Sequence, residues 1–425
     1  MPRYGYFFDY AATTPLDSRV FSAMLPYFKK EFGNPSNLYK LGRQASYAVA
    51  EGTKTIAKII GCRPDEFVYT GSATEADNLA ILGTARANKN KGSKIITSQI
   101  EHKGILAVCE VLGKEGFDIV KLPVRKNGLV DLDELKKELD DETILVSITY
   151  ADSETGTVQP ISEISKIIKN FRGEAGFPYF HTDASQAAGY LDIDVNKLGA
   201  DMMTLSAHKL YGPKGIGGLY VRRGIKIEPI IYGGGQQGSL RSGTENVPGI
   251  VGFAKALELN EKNKNQNFKK IKKLRDILEK GIFKSIPKVV LNGHKDLRMP
   301  NFLNISILDV EGEALLLYLD ELGIMVSTGS ACNSLSLEPS YILSALGNSY
   351  EYIHGSLRFT LGHKNTKADV KYVLKHLPLV VKRLRDISPL NISLSKKEKI
   401  SEPKAFIGGQ MPHFLRKNKN GKKTK

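Results

Sequence analysis

Cysteine is scarce in this 425-residue chain: Cys62, Cys109 and Cys332 lie far apart and are odd in number. This argues against a disulfide framework and a paired-cysteine zinc site, and no resident metal is expected. A reducing cytoplasm with room for one working thiol fits. No run of about 18 apolar residues offers a membrane span. Met1 to Ala12 lacks the ordered basic segment, apolar stretch and small-residue cleavage site of an export signal, so the chain reads as cytoplasmic. There is no internal repeat.

What is present is an ordinary globular composition, 41% hydrophobic and 25% charged, enough to bury a sizeable core. A chain of this length is expected to divide into two or three domains. The net charge of +16 would ordinarily raise nucleic-acid binding, but it is unevenly spread. Lys396 to Lys425 carries ten Lys or Arg against Glu398 and Glu402, which is +8 and half the excess. The body is only mildly basic. From Ser388 onward the chain is polar without an apolar period and reads as a solvated, flexible tail, with contact to RNA or an acidic protein as the alternative.

Short runs rich in β-branched residues recur between longer helical stretches: Glu66 to Thr70, Lys94 to Thr97, Thr143 to Tyr150, Tyr179 to Thr182, Asp201 to Leu205 and Gly217 to Val221. The alternation predicts a mostly parallel α/β sheet, and continuous runs such as Ile144 to Ile148 predict strands covered on both faces. Leu132 to Leu139 and Ile161 to Phe171 have apolar residues three or four apart and predict helices. After about Phe253 a Lys- and Asn-rich segment, Lys262 to Lys273, continues with Ile271, Leu274, Ile277, Leu278 and Ile282 at helical spacing. It predicts a long helix joining two domains. A second α/β region follows to about Arg385.

Ser206-Ala207-His208-Lys209 directly follows the apolar run Met202 to Leu205. Ligands bind at strand ends in α/β sheets, and a lysine there becomes a nucleophile once a neighbouring cation or desolvation lowers its pKa. A solvated loop lysine is the bland alternative. Asp183, just past Tyr179 to Thr182, can keep a pyridinium nitrogen protonated, with Gln186 suited to the ring hydroxyl; otherwise it caps a helix. Thr70-Gly71-Ser72-Ala73-Thr74-Glu75 gathers amides and hydroxyls for a phosphate at a helix start, and Ser206 and His208 can add donors. Small capping residues would look alike. His102, after Ile95 to Ser98, can stack on a cofactor ring, although a lone histidine is more often a surface or core residue. Four strand-end features converging on one cofactor, pyridoxal 5′-phosphate (PLP), outweigh these separate alternatives.

A second chemistry is suggested by Ser327-Thr328-Gly329-Ser330-Ala331-Cys332, whose small residues leave a thiol free to visit a buried substrate and then an external acceptor. A nearby base or cation is expected to raise its thiolate fraction. Cys62 and Cys109 sit in helix-like apolar contexts and are expected to be buried packing residues. Arg358, within Gly355 to Gly362, can grip an α-carboxylate bidentately or sit in a surface ion pair.

Together these residues resemble the cysteine desulfurases, fold-type I relatives of the class V aminotransferases that supply sulfur for iron-sulfur clusters and tRNA thiolation. The resemblance is carried by Asp9-Tyr10-Ala11-Ala12-Thr13-Thr14-Pro15, Gly33-Asn34-Pro35-Ser36, Ala73-Thr74-Glu75-Ala76-Asp77-Asn78, Arg241-Ser242-Gly243-Thr244 and Leu337-Glu338-Pro339-Ser340, and reaches to about Pro389. It implies an α/β fold: a large PLP-binding domain with a mostly parallel central sheet at 16–258, and a smaller α/β domain at 259–388 that includes the Cys332 loop. Segment 1–15 would pack with the small domain, and 389–425 would be the basic tail. Lys209 would be the Schiff-base lysine, His102 the stacking and catalytic residue, Asp183 and Gln186 the ring contacts, and Ala73, Thr74, Ser206 and His208 the phosphate contacts. Ser153 would touch cofactor and substrate. Thr244 would cross a homodimer interface to the other subunit's phosphate.

The resemblance further implies that Arg358 and Asn34 bind L-cysteine, and that Cys332 takes its sulfur as a persulfide and releases L-alanine. The persulfide would pass to an acceptor protein such as a cluster scaffold, and Cys332 could transiently ligate an iron-sulfur cluster. The Cys332 segment is similar to the long, mobile loop of the iron-sulfur-cluster and nitrogen-fixation group. Three stretches depart from the family pattern: Asp152-Ser153 stands where Asn-Asn usually precedes Glu-x-Gly, Gln237-Gly238-Ser239 replaces a Glu-Arg-Gly type stretch, and Tyr39 stands where His is usual. Two other readings remain: a selenocysteine lyase or generic class V aminotransferase, which would not need Cys332, and a degenerate PLP-fold binding protein with its tail on RNA.

Overall fold

Twelve strands are found among the described residues, 5–173, 176–328 and 339–387, of the computed structural model. They are β1 (Tyr6–Phe7), β2 (Phe67–Thr70), β3 (Lys94–Ser98), β4 (Asp118–Leu122), β5 (Thr143–Ser147), β6 (Tyr179–Asp183), β7 (Met202–Ser206), β8 (Gly217–Val221), β9 (Val289–Leu291), β10 (Phe302–Ile307), β11 (Ile324–Met325) and β12 (Ser356–Thr360). Cys332 with its flanking segment, and the basic tail, lie outside the described residues.

The apolar runs form a seven-stranded sheet in the order β2-β8-β7-β6-β5-β3-β4. The pairs from β7 through β4 are parallel, and only β8 runs against its neighbours β7 and β2. Successive residues point to opposite faces of a strand, and they feed two different cores here. Ile96, Val146, Phe180 and Met203 face one core; Ile95, Leu145, Tyr179 and Met202 face the other. With both faces covered by helices, every residue of β3, β5, β6 and β7 is buried, which is why their sequences are rich in apolar residues with no exposed polar alternation. The sequence pattern did not single out β4. It is an edge strand with Asp118 and Lys121 exposed and only Leu122 buried, so it lacks such a run.

A helix of 39 residues, Val247–Ser285, links this sheet to a second core. It begins earlier than the Lys- and Asn-rich segment suggested. Its start is set by Asn246, whose side chain accepts from the Gly249 amide at 3.0 Å, with a proline in the first turn. Ile250, Phe253, Ala254, Ala256 and Leu257 sit in the first core, so this stretch lacks the long polar face that makes a surface helix visible as a period. Farther along, Ile271, Leu274, Leu278 and Ile282 pack in the second core with the three-stranded sheet β12-β10-β9. The N-terminal segment joins both cores. Tyr6 and Phe7 pair with Ile324 and Met325, Phe8 is fully buried in the second core, and Ala11 is buried in the first.

Cys109 is buried in the helix Lys103–Lys114, as expected. Cys62 is not a helix-interior residue. It follows the left-handed helix cap Gly61, is half-buried, and its thiol donates to the Arg63 carbonyl at 3.3 Å. Burial pushes both thiols up to about 12, so neither supplies thiolate near neutral pH. Among the described residues no helix is long and apolar enough to cross a membrane.

Leu278 is fully buried where the long helix meets the second core. Leu278→Ala is expected to cost about 2–5 kcal/mol in chemical denaturation. The exposed neighbour substitution Lys273→Ala should stay within about 0.5 kcal/mol of the parent. Equal losses would contradict the assigned packing.

Candidate active site

The ends of β2, β3, β5, β6 and β7 share one edge of the sheet, through the registers Thr97 with Ser147, Ser147 with His181, Asp183 with Thr204, and Ser206 with Gly217, itself opposite Thr70. The edge thus collects the polar side chains that stand at the strand ends. After Ser206 the chain turns at once through a short 3-10 turn, Ala207–Lys209, which lifts Lys209 over that edge.

Lys209 Nζ donates to the carbonyls of Ala11 and Ala12, the latter at 2.9 Å, and Gln186 Nε2 donates to the same Ala11 carbonyl at 3.1 Å. His208 Nδ1 lies 3.0 Å from Thr13 Oγ1, while the Thr14 amide and hydroxyl donate to the His208 carbonyl at 3.1 and 2.8 Å. Burial, reinforced by Lys209 and Lys214, pushes His208 down to about 4, so its ring is neutral.

A glycine positions the phosphate-type feature. A Cβ on Gly217 would come 2.6 Å from Ser72 C and 2.8 Å from Ala73 N, so its absence lets the start of the helix Ala73–Ala87 rest on the sheet edge beside Ser206. Ser72 Oγ accepts from the Glu75 amide at 3.1 Å, and the Glu75 carboxylate takes the Gly71 amide at 2.8 Å and Arg241 Nε at 2.9 Å. Among the described residues no hydrogen-bond acceptor meets the amides of Ala73 and Thr74. Two open amides at the start of a 15-residue helix, with the Thr74 hydroxyl exposed beside them, suit an anion such as a phosphate.

His102 caps the helix Lys103–Lys114, and its Nδ1 accepts from the Gly104 amide at 3.1 Å. The neutral ring therefore carries its proton on Nε2. A Cβ on Gly104 would lie 3.2 Å from both His102 Nδ1 and Thr74 Cγ2, which sets the ring next to the helix start. Desolvation lowers the His102 pKa against the opposing charge of Asp183, with Lys209 and Lys103 adding to the lowering. The ring is nevertheless exposed and offers a flat surface. Asp183 is buried at the end of β6; its Oδ1 caps the turn by accepting from the Ser185 amide at 2.8 Å, and its Oδ2 takes no hydrogen bond among the described residues. The capping role and an open carboxylate oxygen coexist.

Arg358, on β12, is paired through its backbone with Ser327. The alternative of a surface ion pair is overturned: the guanidinium is buried, donating from Nη2 to Asp9 Oδ1 at 2.8 Å and from Nη1 to the Ser153 carbonyl at 2.7 Å. Its Nε is buried without a hydrogen-bond partner among the described residues. Ser153 is thus engaged through its backbone. The neighbouring Asp152 organises the turn, accepting from the amides of Glu154, Thr155 and Thr157 at 2.9, 2.7 and 2.9 Å, which gives the unusual Asp152-Ser153 pair a structural role. Asn34 Oδ1 caps its own turn through the Ser36 amide at 2.9 Å, and Thr244 is exposed in the loop before the long helix. Among the described residues neither is hydrogen-bonded to the Lys209 cluster.

Sequence reasoning missed the layer beneath. His181 Nδ1 lies 2.9 Å from Ser147 Oγ and its Nε2 3.0 Å from Thr204 Oγ1, and burial pushes its pKa down to about 4. Asp77, 3.8 Å from His181, is pushed well above the usual carboxylate range by burial and then by Asp183, which favours its neutral form. Burial, with smaller repulsion from Asp183 and Asp152, takes Glu101 up to about 8, although Ser98 Oγ at 2.5 Å and the Thr149 amide at 2.9 Å oppose the rise. The role of Asp9 had no local signal either, since its partner lies 349 residues away.

These residues fit PLP: open amides for a phosphate, an open Asp183 oxygen, an exposed flat ring at His102 and an amine at Lys209. The sequence model of the family described as aminotransferase class-V matches residues 6–373. The chain belongs to this family. Within it the chain falls among the cysteine desulfurases, and the cofactor is PLP. It is 48% identical to the cysteine desulfurase IscS of Dictyoglomus turgidum, covering 90% of this chain and 96% of that one. It is 42% identical to the human cysteine desulfurase, covering 90% of this chain and 83% of the human protein. A solved NifS-like protein superposes with a TM-score of 0.84 at 34% identity, over 89% of this chain and all of the other. The class-V assignment agrees with the α/β fold, a large mostly parallel sheet plus a smaller domain.

The buried acids give a test of the electrostatics. Glu101 has a folded-state pKa raised from 4.5 to about 8, so its contribution to stability is full below about 4.5 and is lost as pH rises through about 8. The melting temperature of the parent is expected to fall across this window, and Glu101→Gln, which cannot titrate, should fall less. Equal slopes in thermal scans would contradict the assigned burial.

Proposed function

We propose that this desulfurase removes the sulfur of L-cysteine, that Cys332 receives it as a persulfide, and that L-alanine is released. A sulfur–sulfur bond forms between Cys332 and the substrate sulfur as the substrate carbon–sulfur bond breaks; its electron pair stays on the β-carbon, which takes up the proton given up by the Cys332 thiol to become the alanine methyl group, so atoms and electrons balance without an added oxidant.

One observation carries the assignment of Cys332. Ser327 is hydrogen-bonded through its backbone to Arg358, at 3.2 and 2.7 Å, and Thr328 beside it is buried. Thr328 thus stands close to the side chain proposed to hold the substrate carboxylate, and Cys332 follows it in the sequence by four residues, a chain length of at most about 14 Å. On the far side Ser340 Oγ donates to Glu154 Oε2 at 2.5 Å and Tyr341 Oη to the Glu101 carbonyl at 2.7 Å, beside His102. Both ends of the Cys332 segment are therefore fastened to walls of the candidate site.

When bound, PLP supplies an electron sink that weakens bonds around the substrate's α-carbon. Ala73 and Thr74 amides, the hydroxyls of Thr74 and Ser206, and neutral His208 would hold the phosphate. Asp183 would hold the proton of the ring nitrogen, Gln186 would contact the ring hydroxyl, and His102 would cover the ring and offer its Nε2 proton. Lys209 would be the covalent anchor, and its Nζ would serve as a base for the substrate α-proton. Arg358, backed by the Ser153 carbonyl, would orient the carboxylate.

A homodimer would complete the site. Phe21, Leu25, Phe28, Phe32, Leu38 and Tyr47 are each more than 40% exposed, an apolar face in the same stretch as Asn34. Such a face suits a second copy, which would bring Thr244 of one subunit to the phosphate of the other and give Asn34 a place in the substrate site. A sulfur-acceptor protein such as a cluster scaffold would be the onward partner, in a reducing cytoplasm.

Cys332→Ala is expected to keep the visible absorbance of bound PLP while alanine production from L-cysteine is lost. Lys209→Ala should lose the covalent form of the cofactor. Full turnover by Cys332→Ala would overturn the proposal.

A further inference from the structure

We propose that Asp9 is a positioning residue that holds Arg358 before substrate binds and is exchanged for the substrate carboxylate on binding, so that Asp9 sets how tightly the site takes a carboxylate. The inference rests on the reading of Arg358 as the substrate-carboxylate residue.

The side chain of Arg358 is only 10% exposed, yet its hydrogen bonding is incomplete. Asp9 meets it through one oxygen on Nη2, the Ser153 carbonyl takes Nη1, and Nε is a buried donor without a hydrogen-bond partner among the described residues. A buried unpaired donor is costly, and a carboxylate placed along the Nε–Nη2 edge would make the two parallel bonds that Asp9 does not. Asp9 nevertheless neutralises the guanidinium. An incoming carboxylate therefore meets a closed ion pair, and two carboxylates on one guanidinium repel one another where water is largely excluded.

Exchange resolves the conflict, and the geometry allows it. The backbone on either side of Asp9 is pinned, Thr360 donating its amide to the Phe8 carbonyl at 2.7 Å and accepting from the Tyr10 amide at 3.3 Å. The Asp9 side chain, 18% exposed, can turn to water without moving the chain. The partner exchanged is a small amino acid carboxylate, and the cost of displacing Asp9 is subtracted from its affinity.

The test uses PLP-loaded enzyme, isothermal titration with L-alanine, and L-alaninamide as a probe lacking the carboxylate. Asp9→Asn keeps the shape and removes the charge. It is expected to tighten L-alanine binding roughly three- to tenfold, with a matching fall in KM for L-cysteine, and to leave L-alaninamide unchanged. Asp9→Glu, which restores the charge, should return binding toward the parent. Unchanged or weaker L-alanine binding by Asp9→Asn, or equal tightening of both probes, would overturn the proposal. Arg358→Lys tests the underlying reading separately: it should weaken L-alanine binding, and if it does not, Arg358 is not the carboxylate residue whatever Asp9 does.

Discussion

Asp9 to Thr14 is the segment on which the candidate site depends. Its carboxylate meets Arg358, its carbonyls at Ala11 and Ala12 receive Gln186 and Lys209, and its threonines bind His208. Arg358 belongs to the strand system of the second core, whereas Lys209, His208 and Gln186 follow strands of the first. A short segment that turns between Asp9 and Ala12, fixed by Phe8 in one core and Ala11 in the other, thus registers the cofactor-type residues against the carboxylate-type residue. Carbonyl acceptors suit an ammonium and an amide because they bring no charge of their own.

The surroundings then sort the charges. Asp183 stands at the sheet edge with one oxygen open, while Asp77 and Glu101 behind it are raised toward the neutral form and the rings of His181 and His208 are lowered to about 4. Environments that push neighbouring titratable groups apart are how one protein separates a charged from a neutral role at a single pH. Here the outcome is a carboxylate with one open oxygen facing the site and a buried layer beneath it whose acids and imidazole are pushed toward their neutral forms.

Much of this was legible in the sequence because a parallel sheet covered on both faces shows itself as runs rich in apolar residues with no exposed polar alternation. Tyr179 to Thr182 and Met202 to Leu205 were visible for that reason, and the polar residues just after such runs could be read as site residues. The run from Thr143 ends as a strand at Ser147, although the amides of Ile148 and Tyr150 still donate to the His181 and Asp183 carbonyls of β6. What could not be read depended on distance or on partial exposure. Asp9 finds Arg358 across 349 positions, Glu101 and Asp77 are pushed toward their neutral forms by burial, and β4 has too little apolar surface to stand out. The assignment of Cys332 rests on its sequence and on its four-residue separation from Thr328.

The central claim, that sulfur moves from L-cysteine to Cys332, is tested most directly by one turnover without reductant. PLP-loaded enzyme is mixed with an equimolar amount of L-cysteine, its thiols are alkylated, and the peptides and free alanine are measured by mass spectrometry. The account predicts one added sulfur atom on the Cys332 peptide, matched mole for mole by alanine, with Cys62 and Cys109 unchanged. Alanine formed while Cys332 gains no sulfur, or sulfur found instead on Cys62 or Cys109, would contradict it.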